Sequence, residues 1–547
     1  MKLAPSYIEL LGSDIVFLMN LDWNGQIFRF STMPIEIETD DGITISFQGA
    51  IDDPSFRLES SILGFNVESN SIPMEVYFDN INVSQQRFQG NLLDESSCEV
   101  SYILIREFQP VTTYEQRVVL MNGKVKQPIF GHIDQPVGYV AFSIENETDD
   151  QIIQIVDPEK KISHQTFSDP HDPTATGKVY PFIIGSPGNQ IPQTTSTGGI
   201  FNSNIYCTPA YLYNQQNSAG GVFQLLVAGH SVVASSVELV DFAHNTDSIT
   251  IESELDILGN KISSVTCNLL TNLEGNESTS ENAGNPYYWV RWTNGGGFPN
   301  PFGDGALEFA GDLLLYLLML TKANIDFSAF DSIRSYLNVY KFTGYINTDI
   351  TVQQFIQSNM IPFLPLEIVN GPNGLRPIIP MIFRNNPTAL FDFVVNENCR
   401  ITSPISPSIS SDEITNEITL KYGYSGFFDK YLGYYTIKDS EYTTISKNRF
   451  GVRKEEIELQ FVTDFATVQR IGSNILRQKA LGYFTLDIQS DFEYGYLYLG
   501  DVVTLTSTIH GIDSIKCQII AKEYQDKQWN YTLMIEDNPI VNNRNIL

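Results

Sequence analysis

Between Lys178 and Lys261 the chain has no lysine or arginine. Over its 547 residues, 33 basic side chains stand against 64 acidic ones, a formal net charge of −31. The imbalance is uneven: residues 1–270 hold 33 acidic and 12 basic residues, and the remainder 31 and 21. Affinity for nucleic acid is built from clustered Lys and Arg that release counterions from phosphates. This composition therefore excludes stable binding of DNA, RNA or anionic lipid. Cysteine is scarce as well. Cys98, Cys207, Cys267, Cys399 and Cys517 are far apart, odd in number and form no C-x-x-C pair. That argues against a disulfide framework and a zinc site and fits a reducing, cytoplasmic origin. Long apolar runs are missing too. The most apolar segment, residues 313–320, is far shorter than the ~20 residues of a membrane span. The opening MKLAPSYIELLGSDIVFLMNLD is broken by Glu9 and Asp14 and reads as an entry strand, not a secretory signal.

Catalytic signatures are equally hard to find. There is no G-x-S-x-G elbow, no P-loop and no G-x-G-x-x-G after a strand. Of the six histidines, only His164 and His171, followed by Asp172, form a close pair. They lie in a proline-rich loop without the i, i+4 spacing of a helical metal site. His230 closes an apolar strand as a turn residue. Gly295-Gly296-Gly297, between Trp292 and Phe298, is read as tight packing, since a phosphate loop would want a lysine nearby. Carboxylates are too abundant for one pair to stand out as a glycosidase acid and base. The expectation is a non-enzyme with no catalytic residue, no metal and no cofactor.

What is present favours sheet. The 34 Phe and 27 Tyr among 42% hydrophobic residues suit half-buried strands better than helical bundles. The length divides into about three to five domains. The predicted fold is mainly β with α insertions, as several antiparallel barrel or sandwich domains with a small helical segment. Residues 1–156 form an N-terminal antiparallel β unit, with alternation at 43–48, 74–78 and 98–105. A further stretch, 118–125, is interrupted by Asn122-Gly123, which reads as a hairpin turn. Residues 157–285 are rich in Pro, Gly, Ser and Thr and hold strands near 179–185, 222–227, 231–239 and 248–252. Residues 286–400 carry the helical content: Leu307, Ala310, Leu314, Leu317 and Leu318 at helical spacing, a second helix over 328–339 and a third over 352–360. Residues 401–547 return to strands, with one helix (464–481) capped by Asp464 and carrying Phe465, Val468, Ile471, Ile475 and Leu476 on one face. The aromatic set Tyr287, Tyr288, Trp289 and Trp292 is a candidate contact patch, either stacking on sugar rings or anchoring neighbouring domains.

In the last unit, Phe450-Gly451-Val452-Arg453, the helix from 465 and Leu497-Tyr498-Leu499-Gly500-Asp501-Val502-Val503-Thr504-Leu505 follow one another. Gly500-Asp501 turns the chain, and Val503 and Leu505, at period two, begin a strand held to a barrel edge. This succession resembles the tail-tip and baseplate hub family of tailed bacteriophages. That family includes the lambda-type tail-tip attachment protein, myophage baseplate hubs and the gene-transfer-agent hub. Gly451, Arg453, Gly500, Asp501 and Val503 would be its structural motif here. More loosely, LDWNGQIFRF, TYEQRVVLMNGKVKQ and GKVYPFIIG are similar to modules fused ahead of such hubs. The resemblance implies a virion tail protein, assembled in the host cytoplasm as a homotrimer. It would close the tail tube against a distal-tail or tube protein and the tape-measure protein, anchor a spike or receptor-binding fibre, and let DNA pass on ejection. A carbohydrate-binding adhesin or glycoside hydrolase of a virion, and another tail or head-to-tail connector protein, are the alternatives.

Overall fold

A computed structural model describes residues 14–59, 71–79, 93–131, 137–145, 153–163, 176–187, 206–216, 222–240, 245–257, 260–267, 288–292, 296–321, 324–371, 373–384, 388–396, 399–404, 406–407, 413–426, 429–438, 441–480, 483–490 and 495–535. The chain is mainly β with few helices, arranged as several sheets and one closed barrel.

The first ten strands are β1 (Asp14–Trp23), β2 (Gln26–Ser31), β3 (Ile35–Glu38), β4 (Thr44–Gly49), β5 (Phe56–Glu59), β6 (Ser71–Asp79), β7 (Ser97–Arg106), β8 (Gln109–Pro110), β9 (Val118–Gly131) and β10 (Val137–Glu145). All but β5 join one sheet in the order β3-β4-β2-β1-β7-β9-β10-β6, with β8 on β7. The sheet rolls on itself, so that Tyr77 of β6 donates its N–H to Ala50 O, just past β4, at 2.7 Å. Strand β1 shows why its sequence is apolar at nearly every position. Phe17, Met19 and Leu21 face the main core, while Val16 and Leu18 are covered on the opposite face by Ile35, Ile37 and Phe47. The Asn122-Gly123 pair is not a turn. It lies inside β9, opposite Glu99 and Cys98 of β7. A Cβ on Gly123 would stand 2.3 Å from Glu145 O, so the glycine is there for the close approach of β10.

Strand β11 (Phe182–Ile184) leads to a six-stranded antiparallel barrel. Its strands are β12 (Thr208–Gln216), β13 (Val222–Ala228), β14 (Ser236–Val240), β15 (Asn245–Ile257), β16 (Asn260–Cys267) and β17 (Tyr288–Trp292), closed in the order β12-β13-β16-β15-β14-β17. The strand expected over 231–239 begins only at Ser236. The preceding residues form a linker instead, in which Val233 donates its N–H to Gly297 O at 3.1 Å.

Helices α1 (Ala310–Leu320) and α2 (Phe327–Leu337) precede β18 (Gly344–Ile346), which pairs with β11. Helix α3 (Val352–Phe355) opens with a Thr351/Gln354 capping box. It continues as a wider turn over Ile356–Met360 before Pro362 ends it. A hairpin of β19 (Glu367–Gly371) and β20 (Gly374–Ile378) follows. The remaining strands are β21 (Phe391–Val394), β22 (Cys399–Ile401), β23 (Ser406–Pro407), β24 (Glu417–Ser425), β25 (Lys430–Ile437), β26 (Lys454–Leu459), β27 (Phe484–Ser490), β28 (Val502–Ser507), β29 (Ile512–Gln525) and β30 (Gln528–Ile535). Two helices accompany them, α4 (Glu441–Phe450) before β26 and α5 (Phe465–Lys479) after it. The expected single helix after residue 401 thus has a companion in α4.

Two cores organise these parts. One unites the first sheet with an eight-stranded sheet ordered β21-β28-β29-β30-β27-β22, which β23 joins on β27 and β5 joins by pairing with the far half of β29. The other holds α1–α3, α5, β11 and the sheet β25-β24-β26. Residues after 401 therefore serve both cores.

Candidate functional site

The five motif residues fall at two places. Gly451 follows α4 with φ +74° and donates its N–H to Lys447 O at 3.0 Å. The buried Asn416 ties this turn down. Its Nδ2 donates to Gly451 O at 2.8 Å and to Ser446 Oγ at 3.1 Å, and its Oδ1 accepts from Arg453 N at 2.8 Å. Arg453 O in turn accepts from the amides of Asn416 and Glu417. Arg453 acts here through its backbone, and its side chain is exposed. Sequence reasoning missed Asn416, since an Asn beside Glu417 carries no spacing signal.

Gly500, Asp501 and Val503 lie instead in the eight-stranded sheet. Gly500 has φ +84°, and a Cβ there would sit 2.6 Å from the Ile378 side chain. Asp501 Oδ2 accepts from Tyr498 N at 3.0 Å, closing the turn. Val503 and Leu505 are wholly buried. Their strand, β28, is not at a barrel edge. It lies between β29 and the short parallel strand β21, which takes the edge of an open sheet. Around the turn is a buried polar cluster that the sequence did not disclose. Gln518 donates to Ile379 O and Gly500 O and accepts from Met381 N. Arg376 donates to Leu499 O at 3.0 Å and lies 3.8 Å from the Asp501 carboxylate. Lys522 donates to Leu497 O at 3.0 Å and also to Gly495 O. Tyr498 donates to Val119 O in the first sheet at 3.1 Å. Burial lowers Lys522 to about 7, with Asp501 opposing the shift. Each of these groups holds a backbone carbonyl or amide, and together they fix the turn.

Of the aromatic patch, Tyr287 lies outside the described residues, and Tyr288 is described only as the first residue of β17. Trp292 is wholly buried inside the barrel, donating Nε1–H to Thr208 Oγ1 at 2.9 Å. Trp289 is buried edge-on to Tyr345 at 6.4 Å. Neither ring offers an open face to a sugar. Of the triple glycine, Gly297 packs so that a Cβ would stand 2.3 Å from Gly185 O. The pair His164 and His171 lies outside the described residues. Among the described residues, no group of three His, Cys, Asp or Glu side chains converges as metal ligands. Cys98, Cys207, Cys399 and Cys517 are buried thiols outside any disulfide. No helix of the described residues is long and apolar enough to cross a membrane. A cleft of about 360 Å³ on the first sheet is lined by Asn20, Asp22, Ser97, Glu99, Asn122 and Lys124, among others. Its Glu99 is already held by both Arg117 Nε and Nη2 at 2.8 Å.

No family model matches the chain, and no curated protein matches it. Solved structures of phage tail proteins do. A tail protein from Neisseria meningitidis MC58 aligns over 96% of this chain and 97% of its own, with 9% identity and a TM-score of 0.37. The 43 kDa tail protein of prophage MuSo2 from Shewanella oneidensis aligns over 95% and 98%, again with 9% identity and 0.37. The prophage tail protein gp18 from Listeria monocytogenes EGD-e aligns over 95% and 94%, with 11% identity and 0.31.

Proposed function

We propose that this chain is a structural component of a phage tail: a hub that closes the tail tube, anchors a spike or fibres, and lets DNA pass when the genome leaves. The observation that carries the reading is the succession from β24 to β30. The strand, the Gly451–Arg453 segment, the capped helix α5, a further strand and the Gly500-Asp501 turn with its closing strands follow in the order that the sequence resemblance calls for, with β25, α4 and β26 added between them. The buried polar groups at both motif sites hold backbone in place, which suits a scaffold. Segments 1–156, 157–285, 286–400 and 401–547 would be the hub's modules. Three copies would surround the passage, meeting a tube or distal-tail protein and the tape measure on one side and a spike or fibre on the other. The exposed Arg453 side chain is free of the clamp that holds its backbone, and would face such a neighbour. The excess of carboxylates in residues 1–270 would line or flank the passage, where like charge keeps phosphates from adhering. Electron microscopy of the purified chain tests this. The expected particle is a three-fold ring with an axial opening, and a population of lone, asymmetric particles would refute it.

A further inference from the structure

The segment 229–235, between β13 and β14, is the seam along which the barrel meets β11 and the 296–299 segment. Two backbone bonds cross it: Gly229 N to Pro181 O at 2.9 Å and Val233 N to Gly297 O at 3.1 Å. A third bond is different in kind, because Ile183 N donates to His230 Nε2 at 3.0 Å. The other ring nitrogen, Nδ1, lies 2.7 Å from Ser231 O, and Ser263 Oγ donates to His230 O at 2.7 Å. A nitrogen that accepts an amide proton cannot carry one of its own. The contacts therefore require the neutral tautomer with its proton on Nδ1. The ring stands edge-on to Phe182 at 4.9 Å and to Phe298 at 5.2 Å.

We propose that His230 is an acid-sensitive latch that fastens the barrel to the β11–β18 pair while its ring is neutral and releases it when the ring is protonated. Protonation would set a second N–H against the Ile183 amide. It would leave that amide without an acceptor and place a charge between two phenylalanine rings. Among the described residues, the Ser231 carbonyl on Nδ1 is the one group that favours such a charge, and burial outweighs it. From α1 the aromatic cluster includes Tyr316, which burial pushes up to about 12 and so keeps neutral in acid. Tyr180, ahead of β11, backs Gly229 and is likewise a phenol. Among the described residues, no carboxylate or cation acts on the ring from β11, β13, β16, α1 or the 296–299 segment. Burial accordingly lowers His230 from 6.5 to about 4. A histidine depressed in the folded state adds stability that is complete above its ordinary value and is lost as pH falls through the folded one. The latch thus holds at neutral pH and opens near pH 4. It does not depend on the tail assignment.

The test is histidine-selective NMR of the full chain, together with hydrogen exchange of the segments 182–185 and 229–235 from pH 7 to 3.5. The comparison is His230→Gln, whose amide oxygen can accept from Ile183 N and does not titrate. In the wild type, the ring should titrate near pH 4. Exchange of the seam, corrected for intrinsic rates, should accelerate about tenfold or more through the same midpoint while β12 and β17 stay protected. The Gln variant should show no such step. If that variant does not fold, coincidence of ring titration and seam opening in the wild type decides the matter alone. A ring titrating at 6.5, seam and barrel strands opening together, or wild type and variant opening at one pH would each overturn the proposal.

Discussion

The Nζ atom of Lys522 lies 4.3 Å from the centre of the Trp529 ring, and almost none of the lysine is exposed. With its folded value near 7 and its ordinary one at 10.5, the unfolded chain holds the proton more tightly across that interval. Stability contributed by this group therefore rises with pH between the two values, by about 1.4 kcal/mol per pH unit at most. Denaturant midpoints of wild type and Lys522→Met at pH 7, 8 and 9 should diverge, with the wild type gaining on the variant. Parallel curves would show that Lys522 stays charged throughout.

The Asn416 clamp separates two meanings of the Gly451–Arg453 segment. Asn416→Ala should cost about 2 kcal/mol in equilibrium unfolding, because it removes bonds to Gly451 O, Ser446 and Arg453 N at once. Arg453→Ala keeps the backbone bonds and should stay within about 0.5 kcal/mol of wild type. Weaker oligomerisation of Arg453→Ala at unchanged stability would mark that side chain as an interface residue.

Gly500 should tolerate no side chain. Its φ of +84° and the contact with Ile378 together predict a loss of about 2–4 kcal/mol for Gly500→Ala. Gly25, at φ +81° with open space around it, should lose only about 1 kcal/mol on the same change. Thermal unfolding of the two variants, and of Gly500→Ala in an Ile378→Ala background compared with Ile378→Ala alone, distinguishes steric from conformational cost, because alanine removes all three Ile378 atoms that a Cβ would strike. Only the former is relieved by the smaller neighbour.

Asp464 caps α5 by accepting from Thr467 N and Thr467 Oγ1, both at 2.8 Å. Asp464→Ala should destabilise the chain by about 1 kcal/mol, and Asp464→Ser should recover most of it. Equal losses for both variants would point to the charge rather than the cap.

Where a feature depends on neighbouring residues, the sequence was readable. Alternation marked β24 and β27–β30, and Asp464 with its apolar stripe marked α5 to its first residue. Helix α4 was missed because it has no such stripe. Its buried positions include Thr443 and Ser446, which an apolar period cannot register. Pairings between distant segments left no local trace. β5 completes a sheet built from the end of the chain, and Arg376 reaches Leu499 O across 123 residues. The same gap hid β21, so β28 was expected at an edge that the short strand occupies. At the candidate site, Gly500 and Asp501 were legible as a turn, whereas Asn416, Gln518 and Lys522 acquire their roles only through carbonyls that folding brings to them.

The mass of the native chain in solution tests the central claim most directly. Native mass spectrometry of the full-length protein should give three times the 61.5 kDa chain mass, with the trimer retained on dilution. A species of 61.5 kDa at every concentration would contradict the account of this chain as a ring-forming hub.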